Sequence, residues 1–160
     1  MRWSLRIFVL VMLIASMGWA AEDPLLGTWK LNLAKSKYSP GPPPKSGTTT
    51  YSPYGEDGVK TVRDEVDAQG NSIHSEYTAK YDGKDYAVQG PAGGGNPPRA
   101  TLSARRIDAY TTENTNKMGG KVLSVSSRVV SKDGKTLTIY VKGTDAQGQP
   151  VNNVVVYDKQ

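Results

Sequence analysis

Apolar side chains recur at every second position through most of this chain. In "GTWKLNL" (27–33), Trp29, Leu31 and Leu33 share one face against Thr28, Lys30 and Asn32. In "NSIHSEYTAKY" (71–81), Ile73, Ser75, Tyr77, Ala79 and Tyr81 oppose Ser72, His74, Glu76, Thr78 and Lys80. In "KTLTIYVK" (135–142), Leu137, Ile139 and Val141 oppose Thr136, Thr138, Tyr140 and Lys142. A period of two with one apolar side marks antiparallel strands that bury a single face. The separators are short: "YGEDG", "DAQGN", "YDGKD", "KMGGK", "SKDGK" and "TDAQGQP". Their Asp-Gly and Gly-Gly pairs supply the positive φ that tight hairpins need. Dividing the chain at these separators predicts ten strands, at 27–33, 47–53, 58–67, 71–81, 84–89, 99–107, 109–117, 121–131, 135–143 and 151–158. No stretch has a helical period. Ten hairpin-linked strands remove their exposed edges by closing, so the pattern predicts an all-β fold, an antiparallel up-and-down meander closed into a barrel.

Alternation also predicts which side chains point inward. Beyond Trp29 these are Val62, Val66, Ile73, Ser75, Tyr77, Ala79, Ala100, Leu102, Ala104, Leu123, Val125, Leu137, Ile139, Val141, Val155 and Tyr157. Most are small. A barrel widens with strand number, and eight strands are already about as many as side chains can fill. Ten strands lined by alanine, serine and valine therefore leave room for water or a small amphipathic molecule. A flattened barrel whose walls touch is the alternative. Two connections are longer than a hairpin. The proline-rich "AKSKYSPGPPPKS" (34–46) reads as extended and exposed, and "GPAGGGNPP" (90–98) as a mobile loop.

The first twenty residues change the setting. Arg2 and Arg6 precede an apolar run, Ile7 to Ala15, too short to span a bilayer comfortably, and Gly18-Trp19-Ala20 places small residues where a signal peptidase cuts. The expectation is a signal peptide at 1–20 cleaved after Ala20, a single β-barrel domain at 21–160, and a periplasmic or secreted protein with no membrane span after cleavage. Two of the 20 Lys and Arg leave with the leader, so against 15 acidic residues the mature charge is about +3. These charges are scattered, which offers no basic patch for a nucleic acid. With no cysteine there is no disulfide framework, thiol catalysis or thiolate metal site. The sole phenylalanine, Phe8, lies in the leader, so the core must be lean.

The two ends of the chain carry a family resemblance. "LLGTWKL" resembles the first strand of the calycins, the superfamily of lipocalins and intracellular fatty-acid-binding proteins. "GKTLTIYVKG" followed by "VVVYDK" resembles the last two strands of the fatty-acid-binding branch. The overall pattern is also similar to that of uncharacterised secreted bacterial proteins. The resemblance implies that Trp29 plugs the closed end of the barrel and that a ligand occupies its interior. Two departures qualify it. The fatty-acid-binding branch grips a carboxylate with an Arg-x-Tyr pair on the last strand; here Tyr157 matches the tyrosine and Val155 stands in the arginine's place. Neutral or weakly polar ligands are therefore expected over fatty acids. That branch also has a helical lid, which the proline-rich segment replaces. Haem barrels of the nitrobindin type need a histidine near the C-terminus, and the last forty residues hold none.

A charge could still enter the barrel from elsewhere. In "KVLSVSSRVVS" the apolar face is Leu123, Val125, Ser127 and Val129, which turns Arg128 outward with Ser124, Ser126 and Val130. Arg105 and Arg106 straddle both faces, so one points inward if their strand runs regularly to Ile107. The candidate interior residues are Tyr77, Leu102, Arg106, Arg128, Ile139, Val155 and Tyr157, with Trp29 for closure. No catalytic constellation accompanies them. The lone His74 lies on a polar face between Ser72 and Glu76. "RDEVD" (63–67) and "DGKD" (82–85) lack the spacing of a calcium loop. The sequence predicts a non-enzymatic exported barrel with no metal or cofactor, binding a small hydrophobic or amphipathic molecule. The other reading is an envelope or secreted interaction module without a ligand, meeting an unidentified partner through 34–46 and 90–98.

Overall fold

The computed structural model describes residues 23–91, 99–145 and 148–160; the expected signal peptide (1–20) and most of the connection expected as a mobile loop (90–98) lie outside the described residues. Ten strands form one antiparallel sheet: β1 (Gly27–Leu31), β2 (Ser46–Pro53), β3 (Gly58–Val66), β4 (Ser72–Lys80), β5 (Tyr86–Ala87), β6 (Ala100–Arg106), β7 (Thr111–Met118), β8 (Lys121–Val130), β9 (Thr136–Thr144) and β10 (Pro150–Lys159). Their order is β4-β3-β2-β1-β10-β9-β8-β7-β6-β5. The two ends of this order meet: Glu76 and Gln89 exchange backbone hydrogen bonds of 3.3 and 2.8 Å, and the Gly83 N–H donates to the Ala104 carbonyl at 3.0 Å. The up-and-down sheet is thereby nearly closed into a barrel.

Turn chemistry sets the hairpins. Met118 pairs with Lys121 across Gly119 and Gly120, whose φ angles of 56° and 83° suit the two-residue turn that follows strand twist. Two of the expected strands shorten. The segment 84–89 keeps only β5, with Gln89 as an isolated bridge. The first strand stops at Leu31, and Leu33–Lys35 forms a 3-10 turn capped by the Asn32 side chain, leaving Leu33 exposed. Beyond it, Lys37 pairs with Val154. The proline-rich connection is therefore not exposed throughout, because its start runs along β10.

One end of the barrel is sealed. Trp29 is fully buried, and its indole N–H donates to the Leu25 carbonyl at 2.8 Å. The Lys159 ammonium sits 5.0 Å from the ring centroid. Leu25, Leu31, Tyr51, Val59, Val130, Leu137, Val155 and Tyr157 pack with Trp29 into one core.

Candidate functional site

Above that core lies a cavity of about 390 Å³, a size typical of small-molecule sites. Six of the seven candidate interior residues line it: Tyr77, Leu102, Arg128, Ile139, Val155 and Tyr157. Trp29 does not, and neither does Arg106. β6 ends at Arg106 with the side chain turned inward, but at the sealed end. There it forms an ion pair with Asp23 and stacks on Tyr81, its guanidinium carbon 4.3 Å from the ring centroid.

Two strands present the opposite face from the one their apolar residues suggest. On β3, Val59 and Thr61 are buried and Arg63 lines the cavity, so Val62 and Val66 face outward. The turn at 67–71 pairs Val66 with Ser72, and hence Glu65 with Ile73, Arg63 with Ser75 and Thr61 with Tyr77. Directly paired residues share a face, so the inward set of β4 dictates that of β3. On β8 a bulge decides. Asn116 pairs with Ser124 but Lys117 pairs with Val122, which leaves Leu123 as an extra residue. The bulge reverses the alternation. Leu123 and Ser124 both reach the cavity, Ser126 and Arg128 follow on the inner face, and Val125 turns outward at 38% exposure. Gly143 on β9 permits this geometry, because a Cβ there would lie 2.1 Å from the Leu123 carbonyl oxygen.

Arg128 crosses the lumen. Its Nη2 donates to the Tyr77 hydroxyl on β4 at 3.1 Å, and its guanidinium carbon lies 5.8 Å from the centroid of Tyr51 on β2. Asn114 of β7 also donates to the Tyr77 hydroxyl, at 3.4 Å. Burial works against the charge of Arg128, but the phenol oxygens of Tyr77 and Tyr51 more than offset it and the guanidinium stays cationic. Burial pushes the Tyr51 hydroxyl far above its usual range, so it remains a neutral phenol. The lining includes two other cations, Arg63 and Lys117. Each has a carboxylate partner: Arg63 pairs with Glu65, and Lys117 with Asp85 at 2.8 Å. Among the described residues no carboxylate pairs with Arg128 and none lines the cavity. Among the described residues its Nε has no hydrogen-bond partner, and neither do the nearby hydroxyls of Thr61 and Thr112.

Tyr38, from the proline-rich connection, also lines the cavity, and burial lifts its hydroxyl to about 12. No apolar period marks it in the sequence. His74 sits on the outer face, its Nδ1 2.7 Å from Asp64 and away from the cavity. Among the described residues no group of three or more metal-binding side chains occurs, and no helix is long and apolar enough to cross a membrane.

A ten-stranded up-and-down barrel sealed by a tryptophan at one end is a calycin-like barrel. Two solved structures share this fold. Two crystal structures of single-site mutants of the fluorescent protein UnaG match at 13% identity, with TM-scores of 0.55 and 0.56; each match covers 86% of this chain, and 97% and 96% of theirs. A redesigned β-barrel, mFAP1 bound to DFHBI, matches at 12% identity over 85% of this chain and 95% of its own, with a TM-score of 0.42. No protein-family model and no curated protein sequence matches the chain.

Proposed function

We propose that this protein is an exported, non-enzymatic barrel that holds a small amphipathic acid in its interior. One observation carries the reading: Arg128 is the only cation lining the cavity without a carboxylate partner among the described residues. A charge taken out of water is costly unless paired, and a ligand's acidic group is the partner the site lacks. Val155 does stand beside the cavity where an arginine was missed, but the cation comes instead from β8. This moves the ligand from the neutral molecules expected of Val155 to one bearing an acid. Export rests on the leader, with its basic start, short apolar run and Gly18-Trp19-Ala20. The non-enzymatic part of the reading rests on the residue types present, since the sole histidine lies outside the cavity lining with its Nδ1 2.7 Å from Asp64.

Native mass spectrometry of the protein purified from its own host tests the reading. A bound mass that persists in the wild type and disappears in Arg128→Met, with the far-ultraviolet circular dichroism unchanged, supports it. A clean apo mass that also ignores a panel of lipid and pigment acids overturns it in favour of a ligand-free interaction module.

A further inference from the structure

The charges of the lumen stand at different depths. β3 starts in the sealed core at Val59 and runs through Thr61 to Arg63 and Glu65. Thr61 pairs with Tyr77, which accepts from Arg128, and Arg63 pairs with Ser75. Arg63 therefore stands two residues above the level of Arg128, roughly 7 Å along the strand. Glu65 follows it, with a side chain only 13% exposed, and holds the Arg63 guanidinium in an ion pair. The Tyr38 phenol lies close enough to feel both charges.

The polar groups packed around Arg128 are Tyr51 of β2, Thr61 of β3, Tyr77 and Tyr81 of β4, and Thr112 and Asn114 of β7. They offer hydroxyls and an amide but no carboxylate. Across β9 its paired residue is Ile139, which carries no charge. Further out, Lys117 is neutralised by Asp85 and Arg63 by Glu65. Among the described residues the lumen thus has one positive charge to spare. An acid with a single negative charge brings the buried total to zero. A group with two negative charges leaves one of them buried without a partner, and hydroxyls alone do not compensate a charge taken out of water.

We propose that Glu65 sets the charge of the ligand: by occupying Arg63 it restricts the site to singly charged acidic groups, carboxylates and sulfonates, and excludes doubly charged ones such as phosphate monoesters. This rests on the proposed acid-binding role of Arg128 and adds a charge limit and the residue that imposes it.

Isothermal titration of the mature protein tests the proposal, using decanesulfonate, a monoanion throughout, and decyl phosphate, which loses its second proton near pH ~6. At pH 5 the two should bind alike. At pH 8 only about 1% of the phosphate is still a monoanion, so its apparent affinity should fall about thirty- to a hundredfold. The sulfonate, which reports any titration of the protein itself, should bind equally at both pH values. In Glu65→Gln the freed Arg63 shares the second charge across roughly 7 Å, and the loss at pH 8 should shrink at least about tenfold. The double variant Arg63→Gln with Glu65→Gln removes that cation again and should return to the wild-type loss. Decanesulfonate binding retained in both variants shows that the site is intact. Decyl phosphate binding at pH 8 as tightly as the sulfonate in wild type, or a loss in Glu65→Gln as large as in wild type, overturns the charge limit while leaving the acid-binding function standing. Failure of both compounds to bind wild type at pH 5 overturns both.

Discussion

Replacing Trp29 separates closure of the barrel from ligand contact. The indole is fully buried, donates to the Leu25 carbonyl at 2.8 Å and lies outside the cavity lining. Trp29→Phe keeps an aromatic body beneath Lys159 but removes the donor, leaving a buried carbonyl unpaired. That costs about 1–3 kcal/mol. Trp29→Ala empties the site and costs about 3–5 kcal/mol, a large share of a domain's usual 5–15 kcal/mol, roughly. Urea unfolding followed by circular dichroism reads these losses, and isothermal titration with 2-naphthoate under native conditions reads the site. The expected result for Trp29→Phe is a lower unfolding midpoint with ligand affinity within about twofold of wild type, since each tenfold change in affinity needs about 1.4 kcal/mol and no contact is lost. Unchanged stability together with a tenfold loss of affinity would refute the assignment of Trp29 to closure.

Three further outcomes follow from named contacts. Asp23→Asn removes the partner of Arg106 at the sealed end, a pair with side-chain exposures of 22% and 30%. It should destabilise by about 1–3 kcal/mol, and the double variant with Arg106→Met should lose less than the sum of the two single variants; strict additivity in urea unfolding would contradict the coupling. Gly143→Ala forces a Cβ to within 2.5 Å of the Ser124 Cα as well as onto the Leu123 carbonyl. It should cost roughly 2–4 kcal/mol, and a variant as stable as wild type would show that the bulge is not as described. Burial raises the hydroxyls of Tyr38 and Tyr81 to about 12 from the ordinary 10.0. Between these values the unfolded chain ionises and the folded one does not, so stability is fully present below pH 10 and falls as the pH rises toward 12. Urea midpoints that stay level across that window would count against buried neutral phenols.

The strands were legible because their signals are local. Alternation and turn residues located all ten, and the errors at their ends fall where propensity yields to pairing, as at Leu33, which leaves the sheet in a 3-10 turn. The inner faces of β4, β6, β9 and β10 also follow from apolar side chains. Those of β3 and β8 do not, because their inward positions are mostly polar and their outward ones carry valines. For β3 the missing signal was nonetheless present: the turn at 67–71 pairs Val66 with Ser72, and the inward Ile73 then brings Glu65 and Arg63 in with it. For β8 it was not, since a one-residue bulge at Leu123 has no signature in "KVLSVSS" beyond the distant Gly143 that accommodates it. That single residue turns Arg128 from solvent into the lumen. The sealed end was readable from Trp29, whereas the pairing of Arg106 with Asp23 joins residues 83 apart and leaves no local trace.

The central claim is that Arg128 holds an acid inside the barrel. Isothermal titration of matched pairs, 2-naphthoate with its methyl ester and palmitate with its methyl ester, against wild type and Arg128→Met tests it most directly. A charge-assisted hydrogen bond worth about 1.5–3 kcal/mol should make wild type prefer at least one acid over its ester by about tenfold or more, and Arg128→Met should erase that preference while the esters bind equally to both proteins. Equal binding of acid and ester to wild type, or a preference that survives in Arg128→Met, would contradict the account.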